Sequence, residues 1–185
     1  HTFVKLNPTL LGPDKLREIL NRKLKFNTIV PDAAFEHDLK YPDAVKMIKS
    51  LSEKAKSGNL TFGLKLTNTL ESVNNKEVFG REEKMMYMSG RALHPLSVNL
   101  AGKLQEDFNG ELFLSFSGGA DAFNISKLTA CGFKTVTVCS DLLKPGGYLR
   151  LHQYFDRLQV DFQSAGALSP ENFILKSSGL RDLKE

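Results

Sequence analysis

Two short turns, Ser117-Gly118-Gly119 and Cys139-Ser140, each stand between a β-prone run and a helical one. Glycine lets a backbone approach a phosphate closely, and the N–H groups at a helix start hold an anion without a charged side chain. The same position recurs earlier in the chain: Lys5 and Asn7 close one apolar run, and Lys65, Asn68 and Thr69 close another. In open α/β sheets and in barrels, ligands bind at the C-terminal ends of the strands. Polar strand ends repeated in series therefore point to one shared site for a phosphorylated ligand. The competing reading is that both turns are ordinary βα connections.

Other candidates divide in the same way. Lys5 and Lys65 each lie among apolar neighbours, where an inward lysine is costly unless it meets an anion; the alternative is a lysine that snorkels to water. Their local frames differ, so alternation does not relate one to the other. Asn68 and Thr69 could orient a ring substrate by hydrogen bonds or serve as a turn or cap. Ser89-Gly90 reads first as a helix cap. Cys139 has no adjacent histidine and reads as a small buried residue rather than a nucleophile. The histidines at 1, 37, 94 and 152 form no HxH or HxxxH pattern.

The elements that must position these residues follow from periodicity and turn chemistry. Strands are expected at Thr2–Leu6, Leu60–Leu66, Leu112–Phe116 and Thr135–Val138. Helices are expected from Pro13, from Pro42 to the Gly58-Asn59 stop, over Ala92–Phe108, Asn124–Ala130 and Tyr148–Phe162. Residues 71–87 read as a loop or hairpin, and residues 26–41 are irregular. Alternating strands and helices imply parallel strands with helical crossovers. Four such units make half of a (β/α)₈ barrel; a small doubly wound sheet would share the string. The expected organisation is a half-barrel domain over 1–163, with an insertion at about 12–41, and a tail over 164–185.

Composition excludes several classes. The chain has 185 residues, 41% hydrophobic and 25% charged, the balance of an ordinary globular domain. Its 25 Lys and Arg are interleaved with 21 acidic residues, without the clustering a nucleic-acid surface needs. Cys131 and Cys139 are too few for a disulfide scaffold and lack zinc-ligand spacing, so no metal site is expected. No apolar run reaches the roughly 18 residues of a membrane span, no signal peptide is visible, and a cytoplasmic location is expected. The chain opens within a strand and without Met, so it reads as a fragment or excised domain.

Five blocks carry a family resemblance: Val4-Lys5-Leu6-Asn7-Pro8, Lys65-Leu66-Thr67-Asn68-Thr69, Met88-Ser89-Gly90-Arg91-Ala92-Leu93-His94-Pro95, Ser117-Gly118-Gly119-Ala120-Asp121 and Val136-Thr137-Val138-Cys139-Ser140. In this order they resemble the C-terminal half, strands five to eight, of the FMN barrel of the dihydroorotate dehydrogenase and dihydropyrimidine dehydrogenase family. The wording of SGRALHPLSVNLA, SGGADAFNI and VCSDLLKPGGY is closer still to flavoproteins of the selenate reductase type, which are multidomain relatives.

The resemblance implies that Lys5 contacts the flavin ring and that Thr67 lies beside it. It implies that Asn68, with Thr69, faces substrate, and that Ser89 and Gly90 lie against the cofactor. It implies that Gly118, Gly119, Cys139 and Ser140 hold the FMN phosphate. NAD(P)H, FAD and iron–sulfur centres in other domains would feed electrons to the flavin. The family's first-half motifs and its catalytic Cys or Ser base have no counterpart here. The segment from Gly12 to Tyr41 is longer than a simple connection, and Ala120 replaces the usual Ile or Val. The implied chain is therefore one side of a flavin site, inactive alone, whose partners are the other half of the barrel and further redox domains. Its open edges would otherwise be covered by rearrangement or by a homodimer. A phosphate-binding barrel lyase or isomerase with a Schiff-base lysine, or a scaffold without cofactor, are the rival readings.

Overall fold

Period-two alternation separates the two faces of the central sheet. In the computed structural model, which describes residues 1–180, four parallel strands pair in the order β1 (Thr2–Leu6), β2 (Phe62–Leu66), β5 (Leu114–Phe116), β6 (Thr135–Val136). Leu6, Leu66, Phe116 and Val136 share one register row, and Val4, Leu64 and Leu114 another. Leu6, Leu64, Leu66, Leu114 and Phe116 are buried. They turn toward the helices and form the core with Ala44 and Ile48 of α3 (Tyr41–Ser57) and Leu96, Leu100 and Leu104 of α4 (His94–Asp107). Full burial of each such leucine contributes roughly 1.5–3 kcal/mol.

The opposite face carries Phe3, Lys5, Gly63, Lys65, Phe113, Ser115 and Thr135. Phe3 and Phe113 meet edge to face, with ring centroids 5.5 Å apart, above Gly63. A Cβ on Gly63 would lie 2.6 Å from the Phe3 ring and 2.7 Å from the Phe113 carbonyl oxygen, so only glycine lets the two rings close over the strand. Helices cover one face of the sheet, and strand order follows chain order, the arrangement of a partial (β/α)₈ barrel.

The helices start and stop where local chemistry demands. Pro13, Pro42 and Pro95 occupy first turns. The helix α1 (Pro13–Arg17) runs on into wider turns over Glu18–Lys23. The irregular stretch before residue 41 holds one short helix, α2 (Asp32–His37). The loop-or-hairpin segment forms an antiparallel hairpin, β3 (Leu70–Val73) with β4 (Met85–Met88). The expected helix from Ala92 begins as a 3₁₀ turn over Gly90–Leu93 and becomes α-helical at His94. The last strand is shorter than the β-branched run predicts, because its pairing stops at Phe116 and Val136, where its partner β5 ends. After α5 (Ile125–Ala130) and α6 (Arg150–Ala165), the 164–185 segment carries α7 (Pro170–Ser178). This helix is capped by the Ser169 side chain, which accepts from the Asn172 N–H at 3.1 Å, and it stacks Phe173 on Phe162 with centroids 4.3 Å apart. Residues 181–185 of that segment lie outside the described residues.

Candidate functional site

The strand ends converge on one cleft of about 220 Å³. Eight of the ten residues predicted for the site line it: Lys5, Thr67, Thr69, Ser89, Gly90, Gly119, Cys139 and Ser140. Lys65, Leu93, Ser117, Ala120 and Thr137 complete the walls. Gly118 and Asn68 stand just outside. The backbone ladder continues past the strands to hold these ends together: the Asn68 N–H donates to the Leu6 carbonyl at 2.8 Å, Ser117 to Leu66 at 2.6 Å and Thr137 to Phe116 at 2.8 Å.

Lys5 and Lys65 are register partners on β1 and β2, and the row continues through Ser115 to Thr135. The sequence alone did not relate the two lysines; parallel pairing places them on one face. Neither meets a carboxylate among the described residues. Like charges opposite one another destabilise a sheet by some tenths of a kcal/mol, up to about 1, and an anion in the cleft would reverse that sign.

The glycines are required first by protein packing. Gly119 has φ +77°, and a Cβ there would lie 2.2 Å from the Gly90 carbonyl oxygen, so two loops meet backbone to backbone. A Cβ on Gly118 would lie 2.2 Å from Ser97 Oγ of α4. Ser97 is itself engaged by buried Thr67, with the two hydroxyl oxygens 2.9 Å apart. Close approach of α4 thus accounts for Gly118, whereas Gly119 brings backbone to the cleft wall.

Ser89 is extended, and its side chain makes no capping hydrogen bond; it faces the cleft instead of closing α4. Cys139, read from sequence as buried, is exposed, because β6 ends at Val136 on the open edge of the sheet. Asn68 donates from Nδ2 to Asn7 Oδ1 at 2.7 Å, and Asn7 donates to Asp38 at 2.9 Å, which fixes the amide at the rim.

The sequence reading assigns no role to two buried aspartates that closely follow the strand-end turns, Asp121 after Gly119-Ala120 and Asp141 directly after Ser140. Asp121 accepts from Arg91 Nε at 2.7 Å, joining the Gly90 turn to the glycine loop. Burial alone would push the Asp141 carboxyl up, but hydrogen bonds from Arg150, Lys144 and Tyr154 outweigh it and hold the group well below the usual carboxylate range. Burial, and then the Asp141 hydrogen bond, push the Tyr154 phenol up. Burial lowers the His94 imidazole, whose Nε2 is enclosed without a partner among the described residues.

Among the described residues no cluster of His, Cys, Asp and Glu could hold a metal ion, and no helix is long and apolar enough to cross a membrane. The cleft lining offers lysine cations and hydroxyls, with the backbone of the Gly119 loop, to an anionic ligand.

Comparison with known proteins agrees with this architecture. The chain is similar to DHODH from Eimeria tenella in its ligand-free form, with a TM-score of 0.55 and 20% identity over 95% of this chain and 39% of that one. Its similarity to the same enzyme in complex with ferulenol has a TM-score of 0.51 and 22% identity, over 66% of this chain and 32% of that one. These likenesses concern the fold. In sequence the chain is 51% identical over 152 residues to YgfK of Escherichia coli (strain K12), named as an oxidoreductase, and equally to its counterpart in strain O157:H7. The match covers 82% of this chain and 14% of those relatives. The family model described as "Oxidoreductase YgfK, N-terminal TIM-barrel domain" matches residues 1–175, and the chain belongs to that family.

Proposed function

We propose that the chain supplies the phosphate-binding side of an FMN site in a multidomain oxidoreductase. The observation that carries this reading is the Lys5–Lys65 row, without a carboxylate partner among the described residues, opening onto the same cleft as Gly119 and Ser140. The cleft is smaller than the roughly 300–1,000 Å³ that encloses a whole ligand of drug size. It suits the phosphate end of FMN, and the ring would extend over the open sheet face.

In this reading Gly90, Gly119, Cys139 and Ser140 surround the phosphate, and Gly118 seats their loop on α4. Lys5 and Lys65 supply positive charge toward the ring, where reduction leaves negative charge. Thr67 and Ser89 flank the cofactor, and Asn68 and Thr69 orient a substrate ring from the rim. Bound there, FMN supplies hydride transfer at its N5. The other half of the barrel would come from a separate segment and bring the proton-transferring base. FAD, iron–sulfur centres and NAD(P)H in further domains, as in selenate reductase-type flavoproteins, would supply the electrons.

The test is to titrate FMN into the 185-residue chain and into the longest polypeptide that contains it, following flavin absorbance and substrate-dependent bleaching. The expected result is bound flavin that bleaches with substrate only in the longer polypeptide. Turnover by the 185-residue chain alone would overturn the division of labour. A borohydride-reducible adduct on Lys65 with a carbonyl compound, without flavin binding, would move the protein to the lyase or isomerase class.

A further inference from the structure

The loop after β5 and the turn after β6 form adjoining walls of the cleft, yet within the sheet only a pair of register positions joins their strands. Beyond the strands, they are joined by one backbone bond, from the Thr137 N–H to the Phe116 carbonyl, and by a side-chain network centred on buried Asp141 and Tyr154. Asp141 is 4% exposed, and each of its oxygens receives two donors. Lys144 Nζ at 2.8 Å and Arg150 Nη2 at 3.1 Å donate to Oδ1, while Arg150 Nε at 3.1 Å and the Tyr154 hydroxyl at 2.8 Å donate to Oδ2. The same Tyr154 hydroxyl lies 3.1 Å from the carbonyl oxygen of Ala120, the residue after Gly119. One proton faces two acceptors, so the bond is bifurcated, with its shorter arm to the carboxylate. Tyr154 is 3% exposed and carried on α6, a rigid element outside the cleft. Tyr154 and Asp141 are themselves absent from the cleft wall.

We infer that Asp141 and Tyr154 are positioning residues that lock the Gly119–Ala120 loop to the Ser140 turn and so set the spacing of the groups that receive the ligand's phosphate. A saturated carboxylate tied bidentately to arginine resists rotation, and the buried Asp141–Tyr154 hydrogen bond at its centre rigidifies what it joins. The inference rests on the flavin-phosphate reading for its ligand, but the lock itself is a property of this chain.

The test compares wild type with Tyr154→Phe, which removes one hydroxyl and leaves the Arg150 and Lys144 bonds to Asp141 intact. A second variant, Asp141→Asn, keeps the shape and loses the charge. Both are made in the longest polypeptide that contains this chain. FMN and riboflavin affinities are measured side by side, since riboflavin lacks the phosphate. Tyr154→Phe is expected to weaken FMN about tenfold, the size of one hydrogen bond to a charged group, and to leave riboflavin unchanged. Amide hydrogen exchange is expected to rise together at residues 119–121 and 140–143. Equal weakening of FMN and riboflavin, or faster exchange confined to 140–143, would overturn the lock, as would unchanged FMN affinity with unchanged exchange. If wild type binds neither flavin, the FMN reading fails, and the exchange data alone decide for or against the lock.

Discussion

Lys5 and Lys65 stand side by side across the β1–β2 pair, on the face of the sheet opposite α3 and α4, and neither has an acidic partner among the described residues. Two uncompensated like charges in register are a cost in the free protein and an asset once an anion lies between them. Lys65→Met is therefore expected to raise stability in low salt by about 0.5 kcal/mol. It is also expected to reduce, without abolishing, the stabilisation that added inorganic phosphate gives wild type, because Lys65 lines the same cleft as the Gly119 and Ser140 walls that receive the phosphate. Thermal unfolding with and without phosphate measures both effects, and a destabilised variant that still responds fully to phosphate would refute the expectation.

Gly119 and Gly132 separate two kinds of glycine requirement. Both have positive φ, +77° and +79°, but a Cβ at 119 meets the Gly90 backbone whereas one at 132 meets nothing within 4 Å. Gly132→Ala should cost about 1 kcal/mol, the strain of a left-handed residue. Gly119→Ala should cost more than about 3 kcal/mol, because the Gly90 turn must move as well. Urea titrations of the two variants give the difference directly.

His94 makes stability sensitive to mild acid. Burial lowers its folded-state affinity for a proton, so below the unfolded value of about 6.5 the unfolded chain binds the extra proton first. Stability from this group is thus present above about pH 6.5 and falls as pH falls through the lower folded value. His94→Phe also removes the enclosed Nε2 that has no partner among the described residues, while keeping a ring against Phe116. The variant should match or exceed wild-type stability at pH 5.5 and show a flatter pH profile between about 7 and 5.

Asp141 acts in a lower window. Its folded-state affinity for a proton is depressed, so its contribution is fully present above about pH 5 and is lost as pH falls below the ordinary carboxylate range. Asp141→Ala should cost about 2–3 kcal/mol at pH 7. That is below the 3–5 kcal/mol typical of breaking a fully buried pair, because Arg150 and Lys144 retain 22% and 50% side-chain exposure and can turn to water. The deficit should shrink toward pH 3, which acid titration of unfolding checks.

Much of the site is legible in the residue order, because each apolar run that forms a strand ends in residues with polar or glycine chemistry, and parallel crossovers bring those ends to one rim. The relation of Lys5 to Lys65 is not legible. It depends on register between strands far apart in the chain, which no local alternation encodes. Cys139 shows a second limit: its apolar neighbours suggest burial, but β6 pairs on one side only and leaves the cysteine in the open. Asp141 shows a third. A carboxylate is read as surface until the partners that make its burial tolerable are known, and here Tyr154 and Arg150 come from the following helix.

The two outer strands of the sheet are unequal. β1 offers an unpaired edge five residues long and β6 one of two residues. All four strands are parallel, so a barrel closed by a copy of the chain would join the β1 of each to the β6 of the other, and most of β1 would find no backbone partner across that seam. A strand of five residues or more would match the β1 edge over its whole length. The β1 edge therefore has more backbone hydrogen-bonding capacity to offer a partner strand than the β6 edge, which lies beside the Cys139-Ser140 turn.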